Sequence, residues 1–396
     1  MRRRAFLGGV AAGPLCGSTG RPAPRVLVAA SPADEWFPHV SGPRIEAVND
    51  ECWKLARTRD KAVLFAGGRR LALGPLERSR ICADPEGGAH VAGTRGRELW
   101  HFRITARLQL TARRIATLSS LHPATGLDIT WTPAGVLIAA AGPEPASLAL
   151  YPASGDPLLL ARRRWAHPLL RYDARRSRLH VVWSGWNDAS SIYDVIYHLQ
   201  TGDGGKSWQR ADGSVIDAPF EHRQPGAEPD VLTRRQQSGG GESNTLAHAL
   251  QCDENGNPHV LYSFCMPYAI GMGPARARRM QTKHVRWTGA AWAATEISAG
   301  PETDVAGGAL AINGASLHAL LMYKSIDADW LDLGLTSSGD GGATWSPPDP
   351  ITGDASGKKA HYVAPAVSQV GRRLEYVFTA QSARRETPVY VGEMDV

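Results

Sequence analysis

Thr201-Gly-Asp-Gly-Gly-Lys-Ser-Trp208 and Ser338-Gly-Asp-Gly-Gly-Ala-Thr-Trp345 are two copies of one pattern of hydroxyl residue, aspartate, glycine and tryptophan. The aspartate of such a stretch accepts backbone N–H groups within a turn, and the glycines supply the positive φ angles that the turn needs. The tryptophan can then pack its ring over the turn. A calcium loop is disfavoured, because the downstream glutamate of an EF-hand is absent. The pattern therefore predicts two tight hairpin turns.

A looser repeat runs through the rest of the chain. It consists of a short apolar strand, a turn of Asp, Asn and Gly, and a second apolar strand that often begins with His. The copies begin at Ile81, Asp128, Leu170, Leu250, Leu310 and Ala366. About 40 residues is the length of a four-stranded propeller blade, and no stretch shows a sustained helical period. The sequence therefore predicts an all-β propeller of six blades, with residues 44–74 either completing the ring or adding a seventh blade.

Composition agrees with an all-β fold. The chain of 396 residues contains 42 Gly and 27 Pro, which is too many for a helical bundle, and 43% of its residues are hydrophobic, which is enough for a large core. The formal net charge is +6, to which Arg2, Arg3 and Arg4 contribute three charges. The other basic residues are scattered and form no nucleic-acid-reading motif, so we expect no nucleic-acid partner.

The N-terminus predicts export. Arg3-Arg4-Ala5-Phe6-Leu7 resembles the twin-arginine signal of bacteria, and the apolar run after it is shorter than the ~20 residues of a membrane span. We therefore expect residues 1–24 to be a removable leader, the protein to be periplasmic or secreted, and no stable membrane insertion. Residues 25–396 are predicted to form one propeller domain, in which 211–243 is a long loop insertion.

The eight-residue pattern resembles the Asp-box, or bacterial neuraminidase repeat, of the sialidase superfamily. In that superfamily the boxes lie on the propeller rim, so the resemblance implies structural roles for Asp203 and Asp340. A second resemblance, over about residues 164–262, is to neuraminidase-repeat polysaccharide lyases of the ulvan-lyase type. It rests on His167, Tyr193 and the first box, followed by Asn244-Thr-Leu-Ala-His248.

The candidate site lies where the innermost strands of a propeller start, close to its axis. Residues just before these strands, and the loops between second and third strands, converge there. The predicted substrate-binding residues are Asn244, His361, Arg276, Arg279, Tyr268 and Trp186. By analogy with the lyases, His248 or His167 is the base and Tyr193 the acid. A second set of histidines, at the starts of second strands, is predicted to be structural: His90, His180, His259 and His318.

A basic, aromatic and imidazole-rich site suits an anionic sugar, because arginine pairs with carboxylates and aromatic rings stack on sugar rings. The sequence therefore predicts an enzyme that cleaves an anionic oligo- or polysaccharide. Three readings stay open: a sialidase-type glycoside hydrolase, a polysaccharide lyase acting by β-elimination, and a non-catalytic glycan- or protein-binding propeller. We expect no metal ion, no cofactor and a monomer.

Overall fold

The computed structural model describes residues 24–32, 42–119, 126–162, 165–187, 192–221, 228–233, 242–265, 280–325, 331–352, 361–381 and 386–396. Every regular element in these ranges is a β-strand, as the predicted all-β class requires. None of the described residues forms a helix long and apolar enough to cross a membrane. The strands form seven sheets, the seven blades of a β-propeller. The segment 44–74, whose role the sequence left open, forms a blade of its own.

We number the blades in chain order, beginning with the blade that contains residues 44–74. The strands are β1 (Arg25–Pro32) in blade 7; β2 (Arg44–Val48), β3 (Glu51–Arg57), β4 (Ala62–Ala66) and β5 (Arg69–Gly74) in blade 1; β6 (Arg78–Asp84), β7 (Gly88–Arg95), β8 (Glu98–Ile104) and β9 (Leu110–Thr117) in blade 2; β10 (Asp128–Thr132), β11 (Gly135–Ala141), β12 (Leu148–Pro152) and β13 (Leu158–Arg162) in blade 3; β14 (Trp165–Asp173), β15 (Arg178–Asn187), β16 (Ile192–Thr201), β17 (Trp208–Gln209) and β18 (Val215–Ile216) in blade 4; β19 (Phe220–Glu221) in blade 3; β20 (Asp230–Val231) in blade 4; β21 (Ser243–Cys252), β22 (Pro258–Cys265), β23 (Met280–Trp287) and β24 (Trp292–Ile297) in blade 5; β25 (Thr303–Asn313), β26 (Ser316–Ser325), β27 (Asp332–Ser338) and β28 (Asp349–Pro350) in blade 6; and β29 (His361–Val370), β30 (Arg373–Gln381) and β31 (Glu386–Asp395) in blade 7.

The ring is closed by pairing between its two ends. Strand β1 runs antiparallel to β31 and becomes the outer strand of blade 7, with Arg25 opposite Val391. Lys54 of blade 1 forms an ion pair with Glu375 of blade 7, and the second oxygen of that carboxylate lies 3.1 Å from Arg373 Nε. Blades 1 and 7 are therefore joined by charge as well as by packing.

The segment 211–243, predicted to be a loop insertion, contains short strands where it is described. Strand β18 extends the edge of blade 4, β20 pairs with β16, and β19 pairs in parallel with β13 of the preceding blade. The ring of Phe220 in β19 packs 5.4 Å from that of Trp183 and 5.0 Å from that of Tyr197. The segment thus ties blades 3 and 4 together through a buried aromatic cluster. Residues 222–227 and 234–241 lie outside the described residues, as does the predicted leader up to residue 23.

The two Asp-boxes form the turns that the sequence predicts. Asp203 accepts N–H groups from Lys206 and Ser207 at 3.0 Å, and its second oxygen accepts the Ser207 hydroxyl at 2.6 Å. Asp340 accepts the N–H of Thr344 at 2.9 Å and its hydroxyl at 2.7 Å. Each box joins the third strand of its blade to the fourth, so both lie on the rim, away from the axis.

We expect Asp203→Ala to destabilise the protein without slowing catalysis. The carboxylate holds its turn through hydrogen bonds from the Ser207 hydroxyl and two backbone N–H groups, which also keep its pKa below the ordinary range. Losing them should lower the melting temperature by about 3 °C. Asp156→Ala, at an exposed aspartate in a turn of blade 3, is the matched control and should leave the melting temperature unchanged. Equal melting temperatures for the two variants would refute a structural role for the box.

The histidines predicted to be structural lie in second strands, are buried, and bond to the third strand of their own blade. Within the described residues these bonds are His90 Nδ1 to His101 Nε2 at 3.0 Å, His180 Nδ1 to His198 Nε2 at 3.1 Å, His259 Nδ1 to His284 Nε2 at 2.9 Å, and His318 Nδ1 to Ser337 Oγ at 2.8 Å. A bond between two imidazoles needs one ring as donor and the other as acceptor, so it is satisfied when both rings are neutral.

Candidate functional site

The inner strands of the seven blades surround a cavity of about 180 Å³ on the propeller axis. Blades 1, 2 and 3 line it with Arg44, Arg80 and Asp128, and blades 4 and 5 line it with His167 and His248. Charged groups thus occupy one side of the cavity and imidazoles the adjoining side. Blades 6 and 7 line the third side with apolar side chains, among them Leu310, Met322 and Val367.

Four consecutive inner strands carry a β-bulge where they line this cavity. His167 has a φ of 51° in the irregularity between Ala166 and Leu169. His248 lies inside a register shift of β21, and Gly307 and Ala364 have φ angles of 95° and 53° in the bulges of β25 and β29. A bulge redirects the side chain that it carries, and such irregularities concentrate at functional sites.

Hydroxyl groups of the preceding blade hold two of these bulges in place. The Ser184 hydroxyl of blade 4 accepts the N–H of Ala247, next to His248, at 3.2 Å. The Thr282 hydroxyl of blade 5 accepts the N–H of Gly307 at 2.8 Å. Both hydroxyls are fully buried, so these bonds are shielded from water. Blade 4 thus fixes the backbone from which His248 projects, and blade 5 fixes the backbone at Gly307.

Both imidazoles are neutral near pH 7. Burial lowers the pKa of His248 to about 4, and burial together with the nearby His248 and Arg80 lowers the pKa of His167 to about 3. His248 Nε2 lies 2.7 Å from Ser263 Oγ, which fixes the orientation of the ring. The ring of Tyr193 meets that of His167 edge to face, with 6.2 Å between centroids. The structure therefore places His167 and His248 together in the cavity lining, with Tyr193 packed against His167.

The charged side of the cavity contains two guanidinium groups and one carboxyl group. Burial lowers the pKa of Arg80 to about 10, and burial and the charge of Arg80 lower that of Arg44. Asp128 opposes them: its Oδ1 is 4.0 Å from Arg80 Nε, and its Oδ2 accepts the Leu170 N–H at 2.7 Å. One carboxylate thus faces two guanidinium groups whose charged forms are destabilised by burial, and a bound anion would relieve that cost.

A second charged pair lies further along the same cavity. Glu46 Oε1 is 3.8 Å from Arg171 NH1, and burial raises the pKa of Glu46. Among the described residues that line the cavity, three arginines therefore stand against two carboxyl groups. The described residues contain no group of three or more metal-ligating side chains that could hold a metal ion.

Sequence reasoning missed Arg80 and Asp128. Both lie in first strands of the repeat, Arg80 four residues before the turn residue Asp84 and Asp128 at the start of its own copy. That signal is weak, because the side chain of an arginine in a strand can point to solvent as readily as to the propeller axis. The sequence also placed His167 and His248 just before their strands. They are the third and sixth residues of β14 and β21, since both strands begin earlier than their apolar runs.

The other predicted site residues are only partly described. Asn244 is exposed in β21, with a φ of 55°. His361 is the first residue of β29, and Trp186 lies opposite Tyr193 in the register of β15 and β16. The remaining predicted binding residues, Tyr268, Arg276 and Arg279, fall in 266–279, outside the described residues. Their roles stay predictions.

We expect Gly307→Ala to displace His248. A Cβ atom at position 307 would lie 2.2 Å from His248 Nε2, closer than the non-bonded contacts that Cβ atoms make in proteins. The variant should therefore lose the bond to Ser263, together with any activity that needs His248. Gly289→Ala is the matched control, because Gly289 has a similar φ of 92° and no atom within 4 Å of its added Cβ. The ring ¹⁵N signals of His248 report the change, and signals like those of the wild type would contradict it.

Comparison with known proteins places the fold. Residues 161–299 match the family model described as BNR repeat-containing family member. The predicted resemblance to BNR-repeat proteins is confirmed. The matched region contains the first Asp-box together with His167, Tyr193 and His248. No curated protein matches the sequence.

Solved structures share the propeller along nearly its whole length. An ulvan lyase of polysaccharide lyase family PL25, bound to -[GlcA(1-4)Rha3S]-, has a TM-score of 0.61 and 13% identity, with 94% of this chain and 95% of that one covered. The polysaccharide lyase Uly1 has a TM-score of 0.59 and 8% identity, with 95% of this chain and 99% of that one covered. A mutant α-L-arabinofuranosidase from Fusarium graminearum has a TM-score of 0.50 and 9% identity, with 95% of this chain and 98% of that one covered. At these identities the similarity establishes a common fold.

Proposed function

We propose that the protein is a polysaccharide lyase that cleaves a uronic-acid-containing glycan in the axial cavity by β-elimination. The observation that carries the proposal is the presence, in one cavity, of two neutral imidazoles beside two guanidinium groups that face a single carboxylate. The shared fold with ulvan lyases, one of them bound to a glucuronate-containing glycan, supports it as an analogy.

Binding of the substrate carboxylate is the first step. Arg44 and Arg80 lie on the charged side of the cavity, and their half-buried guanidinium groups gain from a bound anion. Neutralising the uronate carboxylate makes the hydrogen on the neighbouring carbon, C5, more acidic. This is the contribution that a lyase needs most, because that proton is otherwise too weakly acidic to be removed.

Elimination then needs one base and one acid. An imidazole, that of His248 or His167, takes the C5 proton, and the electrons of that C–H bond form a double bond between C4 and C5. The bond from C4 to the glycosidic oxygen breaks, and the oxygen leaves with a proton from the Tyr193 hydroxyl. An anionic substrate beside the imidazoles raises their pKa and so makes each a stronger base than in the empty cavity.

A glycoside hydrolase is the second candidate, favoured by the two carboxyl groups of the cavity. Burial raises the pKa of both Asp128 and Glu46, and a raised pKa is what a general acid of a glycosidase needs. Each of them, however, lies beside an arginine, and Asp128 also accepts a backbone N–H. These contacts favour Asp128 and Glu46 as structural ion-pair partners of Arg80 and Arg171 over a role as the acid and base of a glycosidase.

An incubation of the protein with uronate polysaccharides and sialosides separates the candidates. A lyase yields new reducing ends and the ultraviolet absorbance of an unsaturated uronate. Reducing ends without that absorbance would establish a hydrolase. Binding without either product would leave a non-catalytic glycan-binding propeller.

We also propose that the protein acts outside the cytoplasm as a monomer. The support for export is the Arg3-Arg4-Ala5-Phe6-Leu7 motif. A fusion to a reporter that works only after export, compared with one in which Arg3 and Arg4 are replaced by Lys, tests it.

A further inference from the structure

Positive charge is concentrated in blades 1 and 2. Residues 44–117 contain fifteen Lys and Arg against eight Asp and Glu, whereas the whole chain has an excess of +6. These two blades therefore account for the entire basic excess, and the rest of the chain is slightly acidic. They are also the blades that supply Arg44 and Arg80 to the axial cavity. The excess of basic residues is thus found in the same two blades that supply these arginines to the cavity.

A groove lies between these two blades on the face where the inner strands begin. Strand β2 starts at Arg44 and β3 returns to the same face, so the turn 58–61 that follows β3 lies there. Strand β7 ends there too, at Arg95. The groove has a volume of about 340 Å³, and its charged lining residues are Arg57, Arg59, Asp60, Lys61, Glu77 and Arg95.

The side chains of the groove suit an acidic polymer. Four basic groups stand against two carboxyl groups, and Arg59 and Lys61 are exposed. The backbone of the turn is held by a bond from Thr58 N to Lys61 O at 2.8 Å, so the two exposed groups project from a fixed turn. Arg95 lies over the ring of Trp100, 4.4 Å from its centroid, which holds its guanidinium at the groove wall.

From these observations we propose a second glycan-binding site in this groove, which we call the outer subsite. It binds a uronate of the same acidic polysaccharide chain, several sugars away from the residue in the axial cavity. The outer subsite rests on the proposed function for the identity of its ligand. It increases the affinity for long chains by tethering them, and it leaves the chemical step unchanged.

The test compares two double variants that remove the same charge from opposite faces of blade 1. Arg59→Ala with Lys61→Ala empties the outer subsite. Arg69→Ala with Arg70→Ala is the control, because these exposed arginines begin β5 at the opposite face. Binding of polygalacturonate and of ulvan is measured by affinity electrophoresis at low salt, in a His248→Ala background so that no chain is cleaved.

Of the two polymers, we consider the one that the parent binds more tightly. We expect the variant with Arg59→Ala and Lys61→Ala, the groove variant, to bind it about fivefold more weakly, and the control variant to bind it as tightly as the parent. In the otherwise wild-type protein, the groove variant should raise KM for the polymer about fivefold without changing kcat or the KM for a short uronate oligomer. Equal weakening by both double variants, or no binding of either polymer by the parent, would overturn the outer subsite. Groove-dependent binding without cleavage would instead overturn the lyase and leave the outer subsite standing.

Discussion

His248→Ala and Tyr193→Phe should each lower kcat on a uronate glycan by about a hundredfold or more. Removing an acid or a base from a concerted proton transfer typically costs a factor of 10² to 10⁴. Tyr193→Phe keeps the ring that meets His167 edge to face and removes only the hydroxyl, so the packing against His167 is retained. His248→Ala leaves Ser263 without its imidazole partner, which should lower the melting temperature by only about 3 °C.

His318→Ala provides the matched control for His248→Ala. His318 is a buried histidine with a similar bond to a serine hydroxyl, 2.8 Å from Ser337 Oγ, but it lies in the second strand of blade 6 and does not line the cavity. The control should lose a similar amount of stability and keep full activity. Full activity in both His248→Ala and Tyr193→Phe, or an equal loss in His318→Ala, would exclude these two residues from the reaction.

Acid should begin to destabilise this protein well above the pH at which ordinary carboxylates titrate. Burial lowers the pKa of His101 and His248 to about 4 and that of His167 and His284 to about 3, against about 6.5 in an unfolded chain. The unfolded state therefore binds more protons between these values, and the free energy of unfolding falls as the pH drops below about 6.5. Each such histidine lowers the free energy of unfolding by at most about 1.4 kcal/mol per pH unit, so four of them remove roughly 10 kcal/mol over two units, a large part of an ordinary stability of about 5–15 kcal/mol.

Urea unfolding followed by tryptophan fluorescence, at intervals from pH 8 to pH 4.5, measures this slope. We expect a constant free energy of unfolding above pH 7 and a steep fall below pH 6. His284→Gln tests the source of the slope, because it removes one of the two rings of the His259–His284 bond and with it one proton-binding group. It should be less stable at pH 8 and have a shallower slope. A free energy of unfolding that is the same at pH 5 and pH 8 would contradict the assignment of neutral rings.

The parts of the fold that the sequence predicts are those with a local cause. The Asp-box turns need only Asp203, two glycines and a hydroxyl within a few residues, so their structure can be read from the pattern alone. The first strands of the repeat were found because each precedes a turn that contains Asp, Asn or Gly. The short strands of the insertion were missed because β19 is two residues long and pairs in parallel with β13, a strand of another blade, so no local pattern specifies it.

The site was predicted in part for a related reason. His167 and His248 were found from the repeated position of His in successive blades. Arg80 and Asp128 were missed because a strand alternates its faces, and the sequence does not say which face meets the axis. The bulges interrupt that alternation as well. The bulge at His167 contains no Gly that would indicate it in the sequence. The half-buried His101 and the buried His284 lacked a signal too, because each lies in a third strand outside the repeat.

The ratio of products tests the central claim most directly. The protein is incubated with the uronate polysaccharide that it cleaves fastest, and unsaturated uronate ends and new reducing ends are counted in the same samples over time. β-Elimination in the axial cavity predicts one unsaturated end for every new reducing end at all times, and no products from the His248→Ala variant. New reducing ends without unsaturated ends, or the same yield from His248→Ala, would contradict it.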